Sequence, residues 1–151
     1  MAELEVGSTA PKIHLQTDTG ETFDLASVRG KNVVLFFYPK ADTPGCTTEA
    51  CEFRDAYPKF GKDTVVLGIS ADTPDKQAKF KKKFSFPYPL LADVDHKVSE
   101  AYGVWKEKSM YGKKYFGIER TTFLIDKNGK IAKIFHKVKP AGHAEEVLQA
   151  L

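Results

Sequence analysis

Residues 32–46 read Asn32-Val33-Val34-Leu35-Phe36-Phe37-Tyr38-Pro39-Lys40-Ala41-Asp42-Thr43-Pro44-Gly45-Cys46. A continuous apolar run, bounded by Gly30 and Pro39, gives way within a few residues to a helix start signal. Such a run suits a strand buried on both faces, as in a sheet covered by helices. Thr43-Pro44 sets a hydroxyl at the N-cap and a proline at the first helical position, where its fixed φ fits and no N–H is missed. Ala50, Phe53 and Tyr57 continue at helical spacing, and Pro58 is expected to end the helix. A strand that feeds directly into a helix puts the turn at its own carboxyl end, where open α/β sheets usually hold their sites.

The flanking sequence repeats this alternation. Thr64-Val65-Val66-Leu67-Gly68-Ile69 is a second buried strand. Thr73-Pro74 opens another helix, which carries Lys76, Lys79, Lys81, Lys82 and Lys83 and ends near Phe86-Pro87. Phe80 and Phe84 at i, i+4 give it an apolar face, so the lysines read as a solvated opposite face. Residues 122–126 and 130–135 flank Asn128-Gly129, which predicts a hairpin on a type I′ turn with positive φ at both central residues. Residues 14–16 and 22–25 bracket Thr19-Gly20 as a smaller hairpin, and 96–102 and 142–151 are further helices. Strands alternating with helices predict one α/β domain over residues 1–151, a sheet between helical layers.

Composition narrows the function classes. The chain has 151 residues, 42% hydrophobic and 28% charged, with a net charge of +3. That is ordinary for a globular protein and unlike a disordered one. The longest apolar run is too short to span a bilayer, and no signal peptide is evident, so no membrane and a cytoplasmic address are expected. Of the 23 basic residues only Arg29, Arg54 and Arg120 are arginine. A nucleic-acid surface would more often combine arginine with exposed aromatics, so none is expected.

The only two cysteines are Cys46 and Cys51. With Thr43 as N-cap, Cys46 is the third helical residue, beside free backbone N–H groups and the positive end of the helix dipole. Both favour a thiolate over a thiol. Gly45 allows another group close to the backbone, and Pro39 and Pro44 stiffen the loop. Residues five apart in a continuous helix have Cα atoms ~8.6 Å apart and point ~140° apart around the axis. A disulfide needs about 4.4–6.8 Å. If the pair acts together, the first helical turns must unwind. This spacing differs from the Cys-x-x-Cys of a dithiol oxidoreductase, whose thiols bond in place. His14, His96, His136 and His143 are scattered and read as surface or cap residues, which leaves no zinc set and no signature of a cysteine hydrolase. An inert buried cysteine is the plain alternative.

Pro39-x3-Thr43-x2-Cys46, within Phe37-Tyr38-Pro39-Lys40-x-x-Thr43-Pro44-Gly45-Cys46-Thr47-x-Glu49-Ala50-Cys51, resembles the active-site motif of peroxiredoxins. The similarity is to the bacterioferritin comigratory protein, or peroxiredoxin Q, group. It extends through Gly103-Val104-Trp105, Met110-Tyr111-Gly112-Lys113-Lys114-Tyr115 and Gly117-Ile118-x-Arg120-x-Thr122-Phe123-Leu124-Ile125-Asp126. The resemblance implies a thioredoxin-like α/β fold, a central mixed sheet with helices on both faces. It implies a peroxidase with no cofactor and no metal, a monomer recycled by thioredoxin or a similar dithiol. Cys46 matches the peroxidatic cysteine, which attacks a hydroperoxide and becomes a sulfenic acid. Cys51 matches the resolving cysteine, which would close an intramolecular disulfide. Thr43 would hydrogen-bond the thiolate and the peroxide, Pro39 would shield the site, and Arg120 would stabilise the thiolate and polarise the peroxide. Glu49 matches a position that orients the arginine. Trp105 and Tyr111 read as packing residues. A peroxide-sensing switch, or a partner-binding module on the same fold, is the alternative function.

Thiolate formation alone cannot make such a site fast. Lowering a thiol pKa from ~8.5 to ~6 raises the thiolate fraction at pH 7 about 30-fold. Lower basicity takes back about 10–18-fold, at a Brønsted slope of ~0.4–0.5. Donors aimed at the leaving oxygen must supply the rest: the Gly45 and Cys46 N–H groups, Arg120 and the Thr43 hydroxyl. Glu49, one turn from Cys46, opposes this unless Arg120 or Arg54 pairs with it.

Overall fold

Stretches rich in Val, Ile and Phe form the strands, because their side chains pack well on a pleated surface. The computed structural model describes residues 4–151. The strands are β1 (His14–Thr17), β2 (Thr22–Asp24), β3 (Asn32–Phe37), β4 (Thr64–Ser70), β5 (Leu90–Ala92), β6 (Trp105–Met110), β7 (Lys113–Ile118), β8 (Thr121–Ile125) and β9 (Ile131–Phe135). The helices are α1 (Pro44–Phe60), α2 (Pro74–Phe84), α3 (Lys97–Ala101) and α4 (His143–Ala150). Seven strands make one mixed sheet in the order β2-β1-β5-β4-β3-β8-β9. β3 runs parallel to β4 and antiparallel to β8.

Both faces of the sheet are covered. Val34 and Phe36 pack under α1, α2 and α4 with Ala50, Phe53, Phe80 and Val147. Val33, Leu35 and Phe37 point the other way, toward α3 through Val98 and Tyr102. β3 is therefore apolar at nearly every position, with no polar alternation. Gly68 of β4 stands opposite Phe36. A Cβ there would lie 2.9 Å from both Phe36 Cζ and Leu90 Cδ2, so the Phe36 ring requires glycine. Phe36 stacks on Phe53 with ring centroids 4.6 Å apart, which ties the central strand to α1.

Four local expectations are corrected. Pro58 lies inside α1, which continues to Phe60 and ends at Gly61 with φ 80. Phe60 is buried against Phe53, and this packing holds the last turn despite the missing N–H. The 126–129 turn is not type I′: only Gly129 has positive φ there, and its N–H donates to the Asp126 carbonyl at 3.0 Å. Asp126 Oδ1 also accepts from the N–H groups of Asn128 and Lys130, so its side chain rather than the Asn-Gly pair shapes the loop. A type I′ pattern instead joins β6 to β7, where Tyr111 (φ 53) and Gly112 (φ 78) are both left-handed. Tyr111 is 98% exposed at this tip, so it does not pack. On α2, Lys81 pairs with Asp18 and Lys83 with Asp42, so this face is partly bonded rather than simply solvated.

Candidate active site

The chain leaves β3 through buried Tyr38 and half-buried Pro39. The following loop is fixed at two points. Ala41 N–H donates to Asp72 Oδ2 at 2.7 Å, and Asp42, left-handed at φ 59, meets Lys83 Nζ at 3.1 Å. These bonds set where α1 begins. Thr43 occupies the N-cap, but its hydroxyl does not cap the helix. It donates to the Lys40 carbonyl at 2.8 Å, not to Cys46. The hydroxyl proton is thus committed, and Thr43 presents an acceptor to whatever enters the loop. Thr47 N–H closes the first turn on the Thr43 carbonyl, while the N–H groups of Gly45 and Cys46 precede any intrahelical acceptor.

Cys46 is the third residue of α1 and 1% exposed. Arg120 reaches it from the link between β7 and β8. Its Nη2 donates to Cys46 Sγ at 3.3 Å, and its Nη1 donates to Glu49 Oε1 at 2.8 Å. One planar fork thus joins thiol and carboxylate, a geometry a lysine cannot reproduce. Gly45 makes room for it: a Cβ there would lie 3.1 Å from Arg120 Nη2. The backbone around Arg120 is held at three points. Glu119 N–H donates to the Val104 carbonyl at 2.8 Å, and Val138 N–H donates to the Arg120 carbonyl at 3.0 Å. Lys108 Nζ donates to the Ile118 carbonyl.

Glu49 is the electrostatic oddity of the site. Burial pushes its carboxyl from an ordinary 4.5 up to about 7, against the attraction of Arg120 and with a small addition from Glu52. Its Oε2 is buried without a hydrogen-bond partner among the described residues. Burial works against the Arg120 cation, yet Glu49 and Cys46 outweigh it and hold its pKa up. The raised carboxyl links stability to pH. Below the unfolded value both states hold the proton. Between 4.5 and about 7 the folded chain keeps a proton that the unfolded chain has released. Stability from this group is therefore full at low pH and lost as pH rises through about 7. Urea midpoints measured from pH 4 to pH 8 should fall in the wild type and flatten in Glu49→Gln; parallel profiles would refute this linkage.

Cys51 lies farther along the same helix, half-buried, and both thiols are free. Burial pushes its thiol up, Arg54 opposes that, and Asp55 adds to it. Tyr88 donates its hydroxyl to the Ala50 carbonyl between the two cysteines. Arg54 bonds Asp55 and the Phe84 carbonyl, so Glu49 draws on Arg120 alone of the two candidate arginines. The structure thus joins Cys46, Arg120, Glu49 and Gly45, keeps Pro39 and Thr43 in the adjoining loop, and leaves Cys51 apart.

Three residues near the site had no sequence signal. Pro140 Cγ stands 3.4 Å from the Gly45 Cβ position. Lys108 comes in from the β6–β7 hairpin. His143, expected at the surface or as a cap, is 2% exposed. It bonds Thr122 Oγ1 at 2.7 Å and Glu146 Oε1 at 2.9 Å, which anchors α4 on β8. Its burial follows from ring contacts with Phe53 and Phe135, which only the tertiary fold brings together.

A thiol at a helix N-terminus beside an arginine is the setting of reactive cysteines, those of the thiol peroxidases among them. Comparison with known proteins agrees. A family model described as the AhpC/TSA family matches residues 6–134. Peroxiredoxin Bcp of Bacillus subtilis is 51% identical over 149 residues, 98% of this chain and 95% of that protein. Peroxiredoxin Bcp of Escherichia coli K12 is 46% identical over 152 residues, 100% of this chain and 97% of that protein. The crystal structure of a cysteine-to-serine mutant of Xylella fastidiosa peroxiredoxin Q matches with a TM-score of 0.93 at 36% identity, over 99% of this chain and 96% of that one. A structure of Xanthomonas campestris bacterioferritin comigratory protein, from work on its alkyl peroxide reduction activity, matches with a TM-score of 0.91 at 40% identity, over 99% and 95% of the two chains. The chain belongs to the AhpC/TSA family and is a peroxiredoxin. The fold is thioredoxin-like, as the resemblance implied. No helix among the described residues is long and apolar enough to cross a membrane.

Proposed function

We propose that Cys46 is the peroxidatic residue of a hydroperoxide reductase and Cys51 its resolving partner. The observation that carries this is the Arg120 fork, with one arm on Cys46 Sγ at 3.3 Å and the other on Glu49. The Cys46 thiolate attacks the terminal peroxide oxygen; the S–O bond forms as the O–O bond breaks. The sulfur becomes a sulfenic acid, and the leaving oxygen takes a proton to depart as water or an alcohol. Arg120 and the N–H groups of Gly45 and Cys46 stabilise that leaving oxygen. Thr43, whose hydroxyl donates to the Lys40 carbonyl, accepts a hydrogen bond from the incoming hydroperoxide O–H. Pro39 keeps water from the loop.

The Cys51 thiol then displaces the sulfenic oxygen as water, leaving a Cys46–Cys51 disulfide. The intact helix forbids that bond, so residues between them must unwind first. Glu49–Arg120 and Tyr88–Ala50 are the contacts this movement strains. A dithiol such as thioredoxin reduces the disulfide and is itself oxidised. The protein works as a cytoplasmic monomer, with no nucleic acid or membrane partner. Mass spectrometry after one equivalent of hydrogen peroxide is expected to show a Cys46–Cys51 link. Cys51→Ser should consume about one equivalent and stop at a sulfenic acid, even with thioredoxin, its reductase and NADPH present. Undiminished turnover by Cys51→Ser would sink the resolving assignment.

A further inference from the structure

β6 and β7 form a two-stranded hairpin outside the main sheet, and Lys108 stands opposite Tyr115 within it. The lysine stem lies beside Gly117, where a Cβ would come within 3.6 Å of Lys108 Cδ and 3.7 Å of Cε. The half-buried ammonium donates to the carbonyl of Ile118, two residues before Arg120. An ammonium has three N–H donors. No other acceptor meets Lys108 among the described residues. Its neighbours on the hairpin differ: Lys113 is exposed, and Lys114 pairs with Glu107 in the open.

Two cations, Lys108 and Arg120, are both partly out of water, and the charge of Arg120 is felt at Lys108. Such a pair is unfavourable unless negative charge lies between or beside it. Burial lowers the Lys108 pKa, Arg120 lowers it further, and Cys46 and Glu119 oppose that. Behind Lys108, Glu49 of α1 and His143 of α4 act on Arg120, Tyr38, next after β3, acts on Cys46, and Glu52 acts on Glu49 and His143. Glu49 is already matched by Arg120. Negative charge beside Lys108 is left to the Glu119 carboxylate and the Cys46 sulfur.

We propose that Lys108 is a positioning residue of the peroxidase site, holding the Ile118 carbonyl so that Arg120 meets Cys46, and adding a second positive charge to that of Arg120. The proposal rests on Cys46 being the reacting thiol. It is tested in the full chain on a Cys51→Ser background, with thiolate formation at Cys46 followed by absorbance near 240 nm across pH. Lys108→Met and Lys108→Gln should each move the midpoint upward by about half a unit or more, as loss of a nearby cation requires. Lys108→Arg should restore it. The single-turnover rate with hydrogen peroxide at pH 7 should fall about 3- to 10-fold in the neutral variants, on the same argument. Lys113→Met should match the parent in both readouts. Unchanged midpoints in Lys108→Met and Lys108→Gln overturn the proposal, whatever happens to the rate. A shifted midpoint without any peroxide reaction in the parent would uphold the charge assignment and sink the peroxidase reading instead.

Discussion

Cys46→Ser is expected to lose at least about 10⁴-fold in the rate of peroxide consumption, a loss in line with removal of other enzymatic nucleophiles. A hydroxyl keeps the shape of the site but ionises far less readily and attacks peroxide oxygen poorly. Cys51 does not rescue it, because Arg120 and the helix N-terminus face position 46 and not position 51. The fold should survive: Cys46 packs beside Ala50, and serine at an N-terminal turn is well tolerated. Circular dichroism and the urea midpoint should therefore stay near wild type while stopped-flow peroxide consumption disappears. Retention of more than about one per cent of the rate would reassign the reacting thiol.

Arg120→Met should cost about 10²- to 10³-fold in the same assay, the range seen when one donor to a developing oxyanion is removed. It should also destabilise the fold, by about 3–5 kcal/mol above the Glu49 titration, because a buried carboxylate is left unmatched. Glu49 is the reason both effects travel together: its side chain is 0% exposed and Arg120 holds its one bonded oxygen. The double variant Arg120→Met/Glu49→Gln separates them. It should recover stability, since no charge is stranded, and should not recover rate. Arg120→Lys keeps a charge but cannot span Cys46 and Glu49 with one planar group, so it should still lose about 10²-fold. Joint recovery of rate and stability in the double variant would make Arg120 a structural residue only.

Much of the fold was legible because it is written locally. Fully apolar β3 and β4 announce strands buried on both faces, and Thr43-Pro44 and Thr73-Pro74 announce helix starts. Local signals mislead where they compete. The Asn128-Gly129 pair suggested a type I′ turn, but the Asp126 carboxylate takes the turn's N–H groups and selects another conformation. Pro58 suggested a helix end, but Phe60 packs into the core and carries the helix past it. β5, β6 and β7 gave weak signals: three residues in one case, and exposed, lysine-rich strands in the others.

The sequence by itself determined the turn that carries Cys46. A proline and a glycine before Cys46, at the third position of a helix, follow from neighbour-to-neighbour sterics and from the N–H groups any helix start leaves free. It also determined that Cys46 and Cys51 cannot bond while that helix stands, since helix rise and radius are the same in every protein. Only the tertiary structure decided which charges meet there. Arg120 joins Glu49 across 71 residues and Cys46 across 74, and Lys108 comes from a hairpin to the Ile118 carbonyl beside it. The partner of a buried charge is set by which chain segments exclude water from it together, and no stretch of local sequence carries that information.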